Sequence, residues 1–264
     1  MRRLLTFPCN DDTLAGSLDA ADGRTGLLLV TGGSQTRIGS HRMYERLAKN
    51  LSDNGFPCFR YDRRGVGDSG GEDPGFKRSG PDLETATAAF RAAMPGLERV
   101  IGFGLCDGAT ALLLFGRVAG LDGLLLANPW LVEAEAGAPA PAAIRQHYRK
   151  RLTSLEGWKK ILSGAVDWRK LFKGLRNISA RDQGAPLARE SAAALRAGGL
   201  RAWLILAEDD ATAIAAVAEV KRSTFSGLIE GRELVRSDSH TFAREGDAEA
   251  LSAAVLRAMK ALSN

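Results

Sequence analysis

Three residues of this 264-residue chain could together transfer an acyl group: Cys106, Asp210 and His240. Cys106 is the centre of Gly-Leu-Cys-Asp-Gly (104–108). The apolar run 99–106 before it reads as a strand, and 107–119 after it reads as a helix. A strand, a Gly-x-nucleophile-x-Gly turn and a helix make a bend so tight that its flanks must be small, and the central side chain is pushed out above the sheet. The first amides of the helix then point at the sulfur, which favours a thiolate and a developing oxyanion. The same five residues also suit a structural cysteine buried in a glycine-rich turn, so the partners decide between the two.

A general base should follow a late strand, with an acid ahead of it in the chain. His240, in Ser-Asp-Ser-His-Thr-Phe, stands between the last strand and the last helix. The strand 200–210 ends on Ala-Glu-Asp-Asp, which offers Glu208, Asp209 and Asp210. The usual pattern is Gly-x-x-Asp, and with Ala207 in the glycine place it selects Asp210; Asp209 and then Asp238 are the alternatives. The acid would hold the imidazole tautomer and stabilise the imidazolium, although an acid here could also simply cap the helix that starts at 211. Two amides are needed for the oxyanion: one from Asp107, the other from the loop after the run 26–33, at Gly33 or Ser34. His41 and Arg42, at the expected start of the first helix, are candidates for binding a substrate carboxylate or phosphate, and Trp130 is a further candidate binding residue. No metal ligands or cofactor site are expected.

The elements that must position these groups alternate. Buried strands are expected at 26–33, 56–62, 99–106, 121–130 and 200–210, with a short one within 232–240. Helices are expected at 41–55, 82–94 (capped by Asp82), 107–119, 211–224 and 247–262. Such alternation implies right-handed crossovers and an α/β fold, with a mostly parallel sheet covered on both faces and its ligands at the carboxyl ends of the strands.

The alternation stops between 131 and 190. Residues 145–181 hold eleven Lys and Arg against Glu156 and Asp167, a net charge of about +9 in a chain whose total is +5. Apolar residues from Ile144 to Ile178, Trp158 and Trp168 among them, recur three or four apart, as on the inner side of amphipathic helices. We therefore expect a hydrolytic core at 1–130 and 191–264 and a basic helical cap at 131–190. The cap charges could be merely solvated, attract an acidic substrate or acyl carrier, or meet an anionic membrane or acidic partner. Nucleic acid is not an expected partner, because no motif for it is present. Three cysteines (Cys9, Cys58, Cys106), no leader-like start and no apolar run of membrane-spanning length suggest a cytoplasmic protein.

These motifs resemble the α/β-hydrolase superfamily over nearly the whole chain: Thr-Gly-Gly at 31–33, Tyr-Asp-Arg-Arg-Gly-Val-Gly-Asp-Ser-Gly-Gly at 61–71, and the segments around Cys106, Asp210 and His240. The Asp62, Arg64, Gly65, Gly67 and Ser69 loop is usually structural in that superfamily. More narrowly, Gly-Gly-Ser-Gln-Thr-Arg-Ile-Gly-Ser-His-Arg (32–42), Gly-Leu-Cys-Asp-Gly-Ala-Thr (104–110), Asp-Asp-Ala-Thr-Ala (209–213) and Ser-His-Thr-Phe-Ala-Arg (239–244) resemble the exosortase A system-associated hydrolases of type 1. That resemblance implies a setting among bacterial exopolysaccharide and protein-sorting loci, but no defined reaction. Cysteine in the serine position is similar to dienelactone hydrolases, which use Cys, Asp and His on this fold. Ala207 and Ala211 depart from the family pattern without removing a catalytic group. The activity implied is hydrolysis of a small-molecule or carrier-borne ester or thioester through a thioacyl-enzyme. Transfer to another acceptor and a non-catalytic binding protein are the competing readings.

Overall fold

A computed structural model describes residues 2–133 and 185–263. Most of the expected cap lies outside the described residues. The chain begins with a hairpin that the apolar pattern had not suggested, β1 (Arg2–Cys9) and β2 (Asp12–Asp19). Cys9 pairs with Asp12, so the turn is the two residues Asn10-Asp11, and Asn10 takes a left-handed φ of 53°. Asn-Asp between two strands was the available signal.

The parallel strands follow: β3 (Thr25–Val30), β4 (Cys58–Tyr61), β5 (Arg99–Leu105), β6 (Gly123–Ala127), β7 (Arg201–Ala207) and β8 (Ile229–Val235). The eight strands form one sheet in the order β1-β2-β4-β3-β5-β6-β7-β8, in which β2 is antiparallel to both of its neighbours. Strands buried on both faces read as unbroken apolar runs. In β3, Leu27 and Leu29 enter one core cluster while Leu28 and Val30 enter the other, so both faces are covered.

The helices are α1 (Met43–Asp53), α2 (Gly80–Ala93), α3 (Asp107–Phe115), α4 (Pro186–Gly198), α5 (Ala211–Val220) and α6 (Asp247–Ser263). α1 and α6 cover one face through Leu47, Leu51, Val255 and Met259. α2, α3, α4 and α5 cover the other through Phe90, Leu112, Leu195 and Ala216. α4 crosses the expected boundary at 190/191, with Leu187 and Ala188 buried against the core.

Two expectations about helix starts need correction. His41 and Arg42 have φ of 51° and 61°, and this left-handed backbone keeps them out of α1, which begins at Met43. Asp82 does not cap α2; it is fully buried and accepts from Arg64 Nε at 2.6 Å and Arg64 N at 3.0 Å. That pair, together with Ser69 Oγ donating to the Asp62 carbonyl at 2.7 Å, makes the glycine-rich loop after β4 part of the frame.

Among the described residues no helix is long and apolar enough to cross a membrane.

Candidate active site

β5 delivers Cys106 to the carboxyl edge of the sheet, where its backbone turns to φ 60° and ψ −125°. This conformation is costly for a non-glycine residue and is held by what surrounds it. A Cβ on Gly104 would sit 2.6 Å from the Gly108 carbonyl carbon, and one on Gly108 would sit 2.7 Å from the Val30 carbonyl oxygen. Only glycines let strand, turn and helix close this tightly. Cys106 N donates to the Ala127 carbonyl at 3.0 Å, and the Cys106 carbonyl accepts from Trp130 N at 3.1 Å. Thr110 Oγ1 donates to the Trp130 carbonyl at 2.6 Å, which ties the loop after β6 to the elbow. Trp130 is partly exposed there. Of the three thiols, Cys106 is the one partly exposed; Cys9 and Cys58 are buried, and burial pushes both of their pKa values up.

The loop after β8 places His240 against Cys106. Its Nδ1 lies 3.1 Å from Asp210 Oδ2, and Cys106 lies close enough to act on the imidazole electrostatically. Asp210 ends the β7 turn, is buried, and uses the same Oδ2 to accept from Ala213 N at 2.9 Å, capping α5. Bonding to His240 and capping a helix are thus properties of one residue. Glu208 and Asp209 are exposed, while Asp238 is engaged by Arg244 at 2.9 Å. The hydrogen bond to Asp210, then the nearby Cys106, push the His240 pKa up to about 10 against the desolvation that lowers it.

Two residues that sequence reasoning missed hold this loop. Asn128 is fully buried at the end of β6. Its Nδ2 donates to the His240 carbonyl at 3.0 Å, and its Oδ1 accepts from Ala207 N at 2.9 Å. It thereby ties the His240 loop to the end of β7. Phe242, with φ 52°, turns its ring into the core cluster beneath α6. A polar residue in an apolar run, as Asn128 is in Leu-Ala-Asn-Pro-Trp, was the only hint in the sequence. Asn128→Ala leaves the Ala207 N–H and the His240 carbonyl unpaired in a buried place. We expect a loss of about 1–3 kcal/mol by chemical denaturation and a lower kcat on an activated ester at nearly unchanged KM.

The expected oxyanion donors require a correction. Asp107 N belongs to the first turn of α3, whose amides lack intrahelical acceptors. The Gly33 N–H is not free: it donates to Asp107 Oδ1 at 2.7 Å, because the residue after Cys106 is an acid that reaches the neighbouring strand end. Ser34 is exposed beside it. Arg42 also departs from expectation: its guanidinium is bound by Glu45, at 2.8 Å from Nη2 to Oε1, and Glu45 is shared with Arg2 at 2.6 Å. It lines a cavity of about 700 Å³ along α1 whose walls do not include Cys106, Asp210 or His240. His41 is exposed. Among the described residues, no group of three or more His, Cys, Asp or Glu side chains is gathered that could hold a metal ion.

A family model described as serine aminopeptidase, S33 matches residues 29–197, from β3 through most of α4. The chain belongs to this α/β-hydrolase family. Where the family's description says serine, this member has Cys106 at the elbow. No curated protein matches the chain. Among solved structures it is similar to the Pyrococcus furiosus esterase Pf2001, at 14% identity over 100% of this chain and 91% of that one, with a TM-score of 0.66. It is also similar to the α/β hydrolase GrgF from Penicillium sp. sh18, at 17% identity over 98% of both chains, with a TM-score of 0.62. The dienelactone hydrolase from Anabaena variabilis ATCC 29413 matches at 15% identity over 98% of this chain and 95% of that one, with a TM-score of 0.61. At these identities the likeness is one of fold: this family member has the α/β-hydrolase architecture.

Proposed function

We propose that this chain hydrolyses a carboxylic ester or thioester through a thioacyl-enzyme on Cys106. The observation that carries the reading is His240 beside Cys106 and bonded at 3.1 Å to the buried Asp210, at the carboxyl edge of the sheet. The bond to Asp210 raises the His240 pKa to about 10, so the imidazole carries a proton it can give to the leaving group.

The thiolate attacks the acyl carbon, forming a C–S bond while the carbonyl pair moves to oxygen. The Asp107 amide, and the Gly33 amide once vacated, hold that oxyanion. Collapse breaks the bond to the leaving oxygen or sulfur, which takes the His240 proton. A water then gives its proton to His240 and attacks the thioester, releasing the acid and restoring the thiolate–imidazolium pair. Asp210 keeps Nδ1 protonated and the ring aimed. The esterase described among the similar folds supports this reaction class.

We place the enzyme in the cytoplasm of a bacterium, in the exopolysaccharide and exosortase-associated setting that its motifs suggest. The acyl group arrives as a small molecule or on a carrier. A panel of 4-nitrophenyl esters and acyl thioesters, followed by intact-mass spectrometry, tests this. Wild type should gain one acyl mass, mapped to Cys106, and Cys106→Ala should gain none. Turnover without an adduct on Cys106, and undiminished in Cys106→Ala, would falsify the thioacyl route.

A further inference from the structure

We propose that the Asp107 carboxylate gates the oxyanion hole: it occupies the Gly33 amide in the resting enzyme and must leave before an acyl oxygen can bind there. The inference rests on the thioacyl reading above and concerns a side chain that reading does not use. Asp107 Oδ1 accepts from Gly33 N at 2.7 Å, within the 2.7–3.1 Å range an oxyanion needs from the same donor. The carboxylate is also packed against the loop, since a Cβ on Gly32 would come 2.5 Å from that oxygen. Two negative oxygens cannot share one N–H at this distance, because each repels the other.

Either the loop or the carboxylate has to move, and the structure favours the carboxylate. Gly33 is held from its other side by Arg63, which is 2% exposed and donates from Nη2 to the Gly33 carbonyl. Among the described residues the buried Nε and Nη1 of Arg63 have no hydrogen-bond partner, and the Gly33 carbonyl, with Asp73 at 3.5 Å, anchors the guanidinium. Retreat of the loop would strip a buried charge of this contact. Asp107 is only partly buried, and Gly33 and Ser34 beside it are exposed, so rotation of one side chain delivers the carboxylate to water.

Removing the gate should therefore speed acylation more than it speeds reactions that need no oxyanion hole. Wild type, Asp107→Ala and the nearly isosteric Asp107→Asn are compared in two reactions. One is the pre-steady-state acylation of Cys106 by 4-nitrophenyl acetate. The other is its alkylation by iodoacetamide, which reads thiolate reactivity alone. The ratio of the two rate constants is expected to rise about 10²–10³-fold in Asp107→Ala, a span set by what one oxyanion donor contributes. Asp107→Asn, whose amide oxygen can still accept from Gly33 but carries no charge, should fall between. A ratio that stays level or drops in variants with unchanged circular dichroism overturns the gate. Absence of an acetyl adduct in all three proteins, with alkylation intact, instead overturns the thioacyl reading on which the gate rests.

Discussion

Cys106→Ala should lower kcat/KM for an activated ester by about 10⁴-fold or more, as removal of a nucleophile does when its partners cannot act alone. Cys106→Ser should keep a small activity with a displaced pH profile. The proposed mechanism needs His240 protonated, so activity should decline as pH rises toward 10. A serine must instead lose its proton to a neutral imidazole. The Asp210 bond raises the His240 pKa well above neutral, so little of the imidazole is neutral at pH 7. Loss of the sulfur lowers that pKa somewhat, but the Asp210 bond, the larger cause, remains. The serine variant should therefore gain activity with pH through the range in which the cysteine enzyme is level. Rate measurements from pH 6 to 10.5 check this; parallel profiles would contradict the thiolate–imidazolium pair.

Asp210→Asn should cost about 10²–10⁴-fold in kcat/KM, with little loss of helix stability, because asparagine caps α5 as well as aspartate does. The cap and the catalytic bond share Oδ2, so this substitution separates charge from geometry. It also has a pH signature. His240 binds its proton more tightly folded than unfolded, so its contribution to stability is present below about pH 6.5 and lost as pH rises toward 10. Asp210→Asn removes the main cause of that shift. The melting temperature of wild type should exceed that of the variant most near pH 6, and the gap should narrow by pH 10. A gap that widens with pH would mean that Asp210 does not act through the His240 proton.

Much of the frame was legible because buried parallel strands leave a plain record. Gly-Leu-Leu-Leu-Val, Arg-Val-Ile-Gly-Phe-Gly-Leu and Ala-Trp-Leu-Ile-Leu-Ala each became a strand, each ending beside a small or polar residue at the sheet edge. The β1–β2 hairpin was not legible in the same way: β1 is an edge strand with four of its first five residues exposed, so no apolar run announces it. The start of α4 was hidden by its nearness to the basic segment, although Pro186 at its first turn and Gly199 with φ 62° after its end were proper stop and start signals. His41 and Arg42 looked helical by composition. Their left-handed backbone comes from the loop that precedes α1, where Tyr44 fills the space against Gly39.

What the sequence by itself determined was local and ordinal. Glycines at 104 and 108 around Cys106, between an apolar strand and a helix, require a sharp elbow whatever else the chain does. The order Cys106, Asp210, His240, each after a strand of a right-handed parallel sheet, puts all three on one edge. Only the tertiary structure decided which of three neighbouring acids faces His240. It also decided that Asn128 grips the His240 carbonyl across 112 residues and that the Asp107 carboxylate closes on Gly33 across 74. The physical reason is the same in each case. A hydrogen bond is made or missed within a few tenths of an ångström, and that distance is set by sheet register, turn geometry and rotamer together.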